Sequence, residues 1–261
     1  MTIDKAYIEH PVFQQISKFA KFYESLAFSV MSFVSMGTGS FVNIDTYVFS
    51  SIQGTLESIG DILAKGRVND AYALLRKYYD AAIINIYTNL YLDEHVSIEN
   101  FVVEKIEKWL NGKEQLPDIR SMNNYIQKSE KVRDIYRLLH KDKRYSELRE
   151  RCNDNTHYNF YFNVLLNANR IHLENRISIL DRFNNDLENI FILHLSYLFY
   201  MNGHYMASSD YVDSLEIGAT PEPNSQYFVA PFVQEIFDSV IKKSRMDLVM
   251  EIKNNTAMLL E

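Results

Sequence analysis

Arg151 and His157 stand six positions apart, separated by Cys-Asn-Asp-Asn-Thr, and together they hold the two groups that metal-independent cleavage of RNA needs. A neutral imidazole, with a free pKa of about 6.5, takes the proton from a ribose 2′-hydroxyl or returns one to the leaving oxygen. A guanidinium presents fixed donors to the phosphate as charge builds on it. On an unbroken helix a step of six residues turns about 600°, which leaves two side chains about 120° apart. Convergence therefore needs a break. Asn153-Asp-Asn-Thr156 is built of residues whose side chains bond nearby backbone and favour caps over helix interiors. The expectation is a junction, with Arg151 ending one helix and His157 in the first turn of the next. That second helix runs over about 156–170 and carries Tyr161, Val164 and Ala168 on the histidine's face.

A second pair, Arg133 and His140, has a seven-residue step that keeps both groups on one helical face. Asn153 and Asn155 inside the first interval, and Arg76 with Asp80 one turn apart, are the candidate ligand-binding side chains. The spacing of Arg76 and Asp80 also predicts an ion pair on one helix face. The rings of Tyr158, Phe160, Tyr161 and Phe162 could stack bases as aromatic platforms do. They do not interleave with basic residues, so core packing is the expected role.

Other chemistry lacks its residues. There is no Glu-x-x-His pair for a di-iron bundle, no His-Glu-x-x-His, no phosphate-cradling glycine loop, no dinucleotide fingerprint and no Gly-x-Ser-x-Gly elbow. The seven histidines show no ligand spacing and Cys152 is the one cysteine, so neither a metal nor a cofactor is expected.

The elements that must position these residues are helices. From 118 to 202 there is neither proline nor glycine, which favours long helices over a hairpin-rich β fold. Helices are expected at about 11–35, 43–64, 68–92, 97–113, 118–128, 130–141 and 144–152. After the junction come 156–170, then 174–202 as one helix or two with a break near Asn184-Asn185, and 231–243 and 245–259. MGTGS at 36–40 separates the first two. Gly66 caps the second at its C-terminus, Ser97 and Glu99 open the fourth, Gly112 closes it, and Asp118 caps the fifth. With 261 residues and 47% hydrophobic content the chain can bury a real core.

Net charge is −7, which argues against wholesale coating of nucleic acid, but its distribution is uneven. Between Lys105 and Arg151, 13 Lys and Arg stand against 8 Asp and Glu, a local +5, so the remainder carries −12. The apolar run IFILHLSYLFYM at 190–201 falls short of the roughly 20 residues that span a bilayer and contains His194, so no membrane is expected. The start of the chain has no basic stretch leading into an apolar run, which predicts a cytoplasmic protein.

An all-helical chain with a late Arg-x4–6-His motif resembles the HEPN superfamily, many of whose members are RNA-cleaving toxins, phage-defence effectors or partners of nucleotidyltransferases. Gly66-Arg-Val-Asn-Asp-Ala71-Tyr-Ala-Leu-Leu-Arg76-Lys-Tyr-Tyr-Asp80 is similar to a pattern in uncharacterised bacterial HEPN-like proteins. The resemblance implies an all-α, up-down helical bundle with an HEPN-like core at 40–175. Segment 1–39 is then an N-terminal helix on that core, and 176–261 a C-terminal helical extension. It further implies a homodimer whose motifs meet in a shared cleft, RNA as substrate, a cognate partner protein, and Arg151 and His157 as the catalytic pair. Cys152 follows the arginine where that family usually has a polar residue. The competing reading is a non-enzymatic helical module that binds a partner protein or a nucleotide.

Overall fold

Gly66 turns the plainest stop signal of the sequence into geometry. In the computed structural model, which describes residues 3–34, 44–97, 102–167 and 175–261, helix α3 (Ile44–Ala64) ends two residues before it. Gly66 sits at φ 74°, its N–H donates to Leu63 O at 2.7 Å, and the Arg67 N–H donates to Ile62 O at 3.2 Å. This is a Schellman closure, and its left-handed residue is best filled by glycine. Helix α4 (Val68–His95) then starts after only three linking residues and packs back on α3. A link this short makes the two antiparallel neighbours.

The chain folds into an all-α helical bundle. Helix α1 (Lys5–Ile8) leads into α2 (Pro11–Val34), which lies along α3. Helix α4 is the central element. It buries residues on nearly every side, from Ala71 and Leu75 to Tyr78, Ile86 and Leu90, because neighbours surround it. These include α3, α6 (Ile119–Lys128), α8 (Arg144–Thr156), α9 (Tyr161–Leu166) and α10 (Arg176–Met201). Helices α5 (Glu104–Leu110) and α7 (Arg133–Leu139) complete the middle of the chain. After α10 come α11 (Asp210–Glu216) and α12 (Pro231–Ile236), which continues through a π turn at Phe237–Ile241 into α13 (Lys242–Ser244), and then α14 (Met246–Asn255).

One core joins α2, α3, α4 and α10. Phe19 of α2 stacks on Phe191 of α10 with centroids 3.9 Å apart, and Tyr72 of α4 meets Phe183 of α10 edge to face at 4.9 Å. Each fully buried ring or branched aliphatic contributes about 1.5–3 kcal/mol. The core draws on all three spans, 1–39, 40–175 and 176–261. Among the described residues no helix is long and apolar enough to cross a membrane.

Several expected ends fall close to their observed places. Asp118 caps α6 by accepting from the Ser121 N–H at 2.9 Å. Gly112, at φ 66°, closes α5. Helix α10 runs unbroken through Asn184 and Asn185, where Asn189 turns its amide back to Asn185 O at 2.8 Å. MGTGS, Glu99, Ala168 and His172 lie outside the described residues.

Candidate functional site

Helix α8 carries Arg151, Asn153 and Asn155 and ends at His157, and its register decides where they go. Tyr145, Leu148, Cys152 and Asn155 are buried at steps of three and four, so one stripe faces the bundle. The residues on either flank reach different neighbours. On one side Arg149 lies over the Tyr79 ring of α4, and the Asn153 side-chain oxygen Oδ1 accepts from Arg76 Nη1 at 2.7 Å. On the other, Arg144 and Arg151 turn to α10.

The expected junction is absent. Helix α8 continues through Asn153, Asp154, Asn155 and Thr156, and His157 is its C-cap, not the start of the next helix. Cap-prone side chains are accommodated because they bond within the helix or across it. Asn155 Nδ2 donates to Arg151 O at 2.8 Å and Thr156 Oγ1 to Cys152 O at 2.8 Å, both one turn back. With the stripe at 145, 148, 152 and 155 buried against α4 and α10, tertiary packing outweighs local preference.

Arg151 and His157 therefore fall on different flanks, about 120° apart around the helix. Arg151 is committed. Its Nε and Nη2 donate to Asp186 Oδ2 and Oδ1 at 2.9 and 2.5 Å, and the Asp186 side chain is 0% exposed. Glu147 stands 3.9 Å from the same guanidinium. Burial pushes the Asp186 carboxyl above the usual range, against the pull of Arg151. His157 is exposed, and its ring makes no hydrogen bond or ion pair with a described residue. The geometry does not bring the two groups onto one reacting centre.

Arg133 and His140 are also separate. Arg133 pairs with Glu130, one turn back, and lies 3.9 Å from Asp134. His140 stacks on Tyr136 at 4.1 Å and its Nδ1 faces Tyr136 O at 3.1 Å, with burial holding its pKa below the ordinary value. Arg76 and Asp80 form the ion pair their spacing predicts, Nε lying 3.0 Å from each carboxylate oxygen. Arg76, Asp80 and Asn153 thus come together across α4 and α8, whereas Asn155 points into the bundle. Burial pushes the Cys152 thiol up to about 12, so it is no nucleophile.

The aromatic run corrects another expectation. Tyr158, Phe160, Tyr161, Phe162 and Val164 are exposed, with Phe160 at 61% and Tyr161 at 76%. The short α9 buries Asn163 and Leu166 instead. Amides hold it in place. Asn69 Nδ2 donates to Asn163 O, Asn163 Nδ2 to Asp154 O at 2.9 Å, and Asn167 Nδ2 to Asp70 at 2.8 Å. Tyr158 itself adopts φ 50°, a region that bulky residues rarely occupy.

A buried polar chain went unread in the sequence. His194 of α10 is fully buried, its Nδ1 2.7 Å from Tyr23 Oη and its Nε2 2.9 Å from Asn85 Oδ1. Asn85 Nδ2 donates to Asp45 Oδ1 at 2.6 Å, Asn89 Nδ2 to the same oxygen at 2.8 Å, and Tyr205 Oη to Asp45 Oδ2 at 3.0 Å. Because the Asn85 amide donates to Asp45, its oxygen must accept, so His194 carries its proton on Nε2. Tyr23 then donates to Nδ1 and accepts from Tyr78, 2.9 Å away. Burial lowers the His194 pKa to about 3 and raises that of Asp45 against three donors. The available signal was His194 inside an apolar helix, with Asn85 and Asn89 one turn apart on α4.

Among the described residues no three His, Cys, Asp or Glu side chains gather as metal ligands would. No family model matches this chain, no curated protein matches it in sequence, and no solved structure matches its fold.

Proposed function

We propose that this chain is a non-enzymatic helical interaction module that pairs with a second copy of itself through the aromatic corner between α8 and α9. The observation that supports it most is the corner itself: Arg151 is turned away into Asp186, and beside His157 stands an exposed surface of Tyr158, Phe160, Tyr161, Phe162 and Val164. Aromatic side chains with few charges among them are what the centres of protein interfaces are enriched in. Sedimentation of the wild type and of a Phe160→Ser, Tyr161→Ser double variant tests it. The expected result is a dimer for the first and a monomer for the second; a wild-type monomer overturns it.

The exposure of His157 beside rings that can stack bases favours a second reading, an HEPN-like metal-independent endoribonuclease of a bacterial defence or toxin system. Pairing through this corner would bring two copies of His157 near one cleft. In that reading Arg151 would first have to leave Asp186. A cytoplasmic setting and a cognate partner protein belong to the same proposal.

A further inference from the structure

A cleft of about 1200 Å³ lies between α2, α11 and the start of α12. Extended segments floor it. The Ser208 N–H donates to Phe228 O at 2.7 Å and the Leu259 N–H to Tyr227 O at 2.9 Å, and bridges join Ala207 to Val229 and Phe228 to Leu259. Its apolar lining includes Phe28, Val212, Phe228 and Leu259, with Val212 at 43% and Leu259 at 50% exposure. Helix α11 buries none of its residues fully, and Val212 and Leu215 stay exposed although the helix packs on the turn at Ser225–Tyr227.

The rim carries one sign of charge. Asp210, Asp213, Glu216 and Glu261 line the cleft, and no Lys, Arg or His does. None of these four carboxylates pairs with a described cation, so the rim is uncompensated acid. The volume exceeds the roughly 300–1,000 Å³ of ordinary small-molecule pockets, which favours a segment of polypeptide. An apolar floor beneath unpaired carboxylates is complementary to a helix with leucine-like residues on one face and lysine or arginine flanking it.

We propose that this cleft docks a cationic amphipathic helical segment of a partner protein. Its lining shares no residue with the aromatic corner at the C-terminal end of α8. The test uses a fluorescein-labelled amphipathic leucine–lysine peptide and, as control, the same peptide with glutamate for lysine. Binding is followed by anisotropy with the full chain. Three proteins are compared: wild type, an Asp210→Lys, Asp213→Lys, Glu216→Lys variant, and a Glu57→Lys, Asp61→Lys, Glu114→Lys variant with the same change in net charge away from the cleft.

The expected result is saturable binding of the lysine peptide by the wild type, weakened about tenfold or more by the cleft variant and by added salt, and within twofold in the remote variant. Val212→Ser, at an exposed position that does not hold the fold, weakens binding as well. Absence of binding, equal binding of the glutamate peptide, equal loss in both charge variants, or no effect of Val212→Ser overturns the proposal.

Discussion

Arg151 grips Asp186 through two hydrogen bonds, at 2.9 and 2.5 Å, from a helix flank that His157 does not share. The pair fastens α8 to α10, and its two members are not equivalent. Asp186 is wholly enclosed, while the arginine side chain keeps 26% of its surface. Arg151→Ala leaves a buried carboxylate without its cation and is expected to cost about 3–5 kcal/mol. Asp186→Ala costs less, since the guanidinium can swing to water. Chemical denaturation of both variants measures the difference, and Arg151→Ala should regain stability in acid as Asp186 takes up a proton. Equal losses would contradict this account of the pair.

Tyr158 offers the opposite change. Helices α3, α5 and α11 all close with Gly in the left-handed position, at Gly66, Gly112 and Gly218. Helix α8 closes in the same way, with the Asn159 N–H donating to Asp154 O at 3.1 Å, but its left-handed residue is Tyr158. A side chain there costs roughly 1–2 kcal/mol, partly offset by the extra chain entropy of glycine when unfolded. Tyr158→Gly is expected to raise stability by up to about 1 kcal/mol in a thermal melt while weakening self-association. A destabilised variant would show that the ring holds the fold.

The buried His194 makes stability depend on acid in a defined direction. Its pKa is about 3 in the folded chain and about 6.5 when unfolded. Between these values the unfolded chain binds one more proton, so stability rises with pH and is lost as pH falls from about 6.5 toward 3. The slope from this group is about 1.4 kcal/mol per pH unit. Asp45, whose carboxyl is raised, acts with the opposite sign just above its ordinary range. Comparing the wild type with His194→Gln separates the two, because only the histidine contribution disappears. Parallel stability curves between pH 6 and 4 would contradict it.

Much of the fold was legible because backbone breakers and caps act locally. Gly66 and Asp118 do in the structure what their chemistry requires, since each closes orphan groups of its own helix end. The break expected at Asn153–Thr156 does not form because the same side chains that cap helices can bond one turn back inside them. The stripe of Tyr145, Leu148, Cys152 and Asn155 gave the stronger instruction. The lack of basic residues among the rings from Tyr158 to Phe162 points to the core, but α9 is anchored by asparagine amides and leaves the rings outside. The His194 chain joins residues far apart in sequence, so the polar residues that mark it locally, His194 in its apolar helix and Asn85 with Asn89, do not reveal that they meet.

The exposed rings are expected to matter for association and not for folding. Phe160→Ser with Tyr161→Ser should leave stability within about 0.5 kcal/mol of the wild type, while the solution mass halves. A large loss of stability would mean that these side chains support the bundle.

Within one chain Arg151 turns into Asp186 on a flank of α8 that His157 does not share, and cleavage of RNA tests most directly whether the two nonetheless act together. Purified wild type, His157→Ala and Arg151→Ala are incubated with mixed RNAs in the presence of a chelator, and the products are resolved by length. The expected result of the non-enzymatic reading is no cleavage by the wild type above the level of the His157→Ala protein. Metal-independent cleavage by the wild type that His157→Ala reduces by about 100-fold or more, the usual size of a general acid–base contribution, would contradict it.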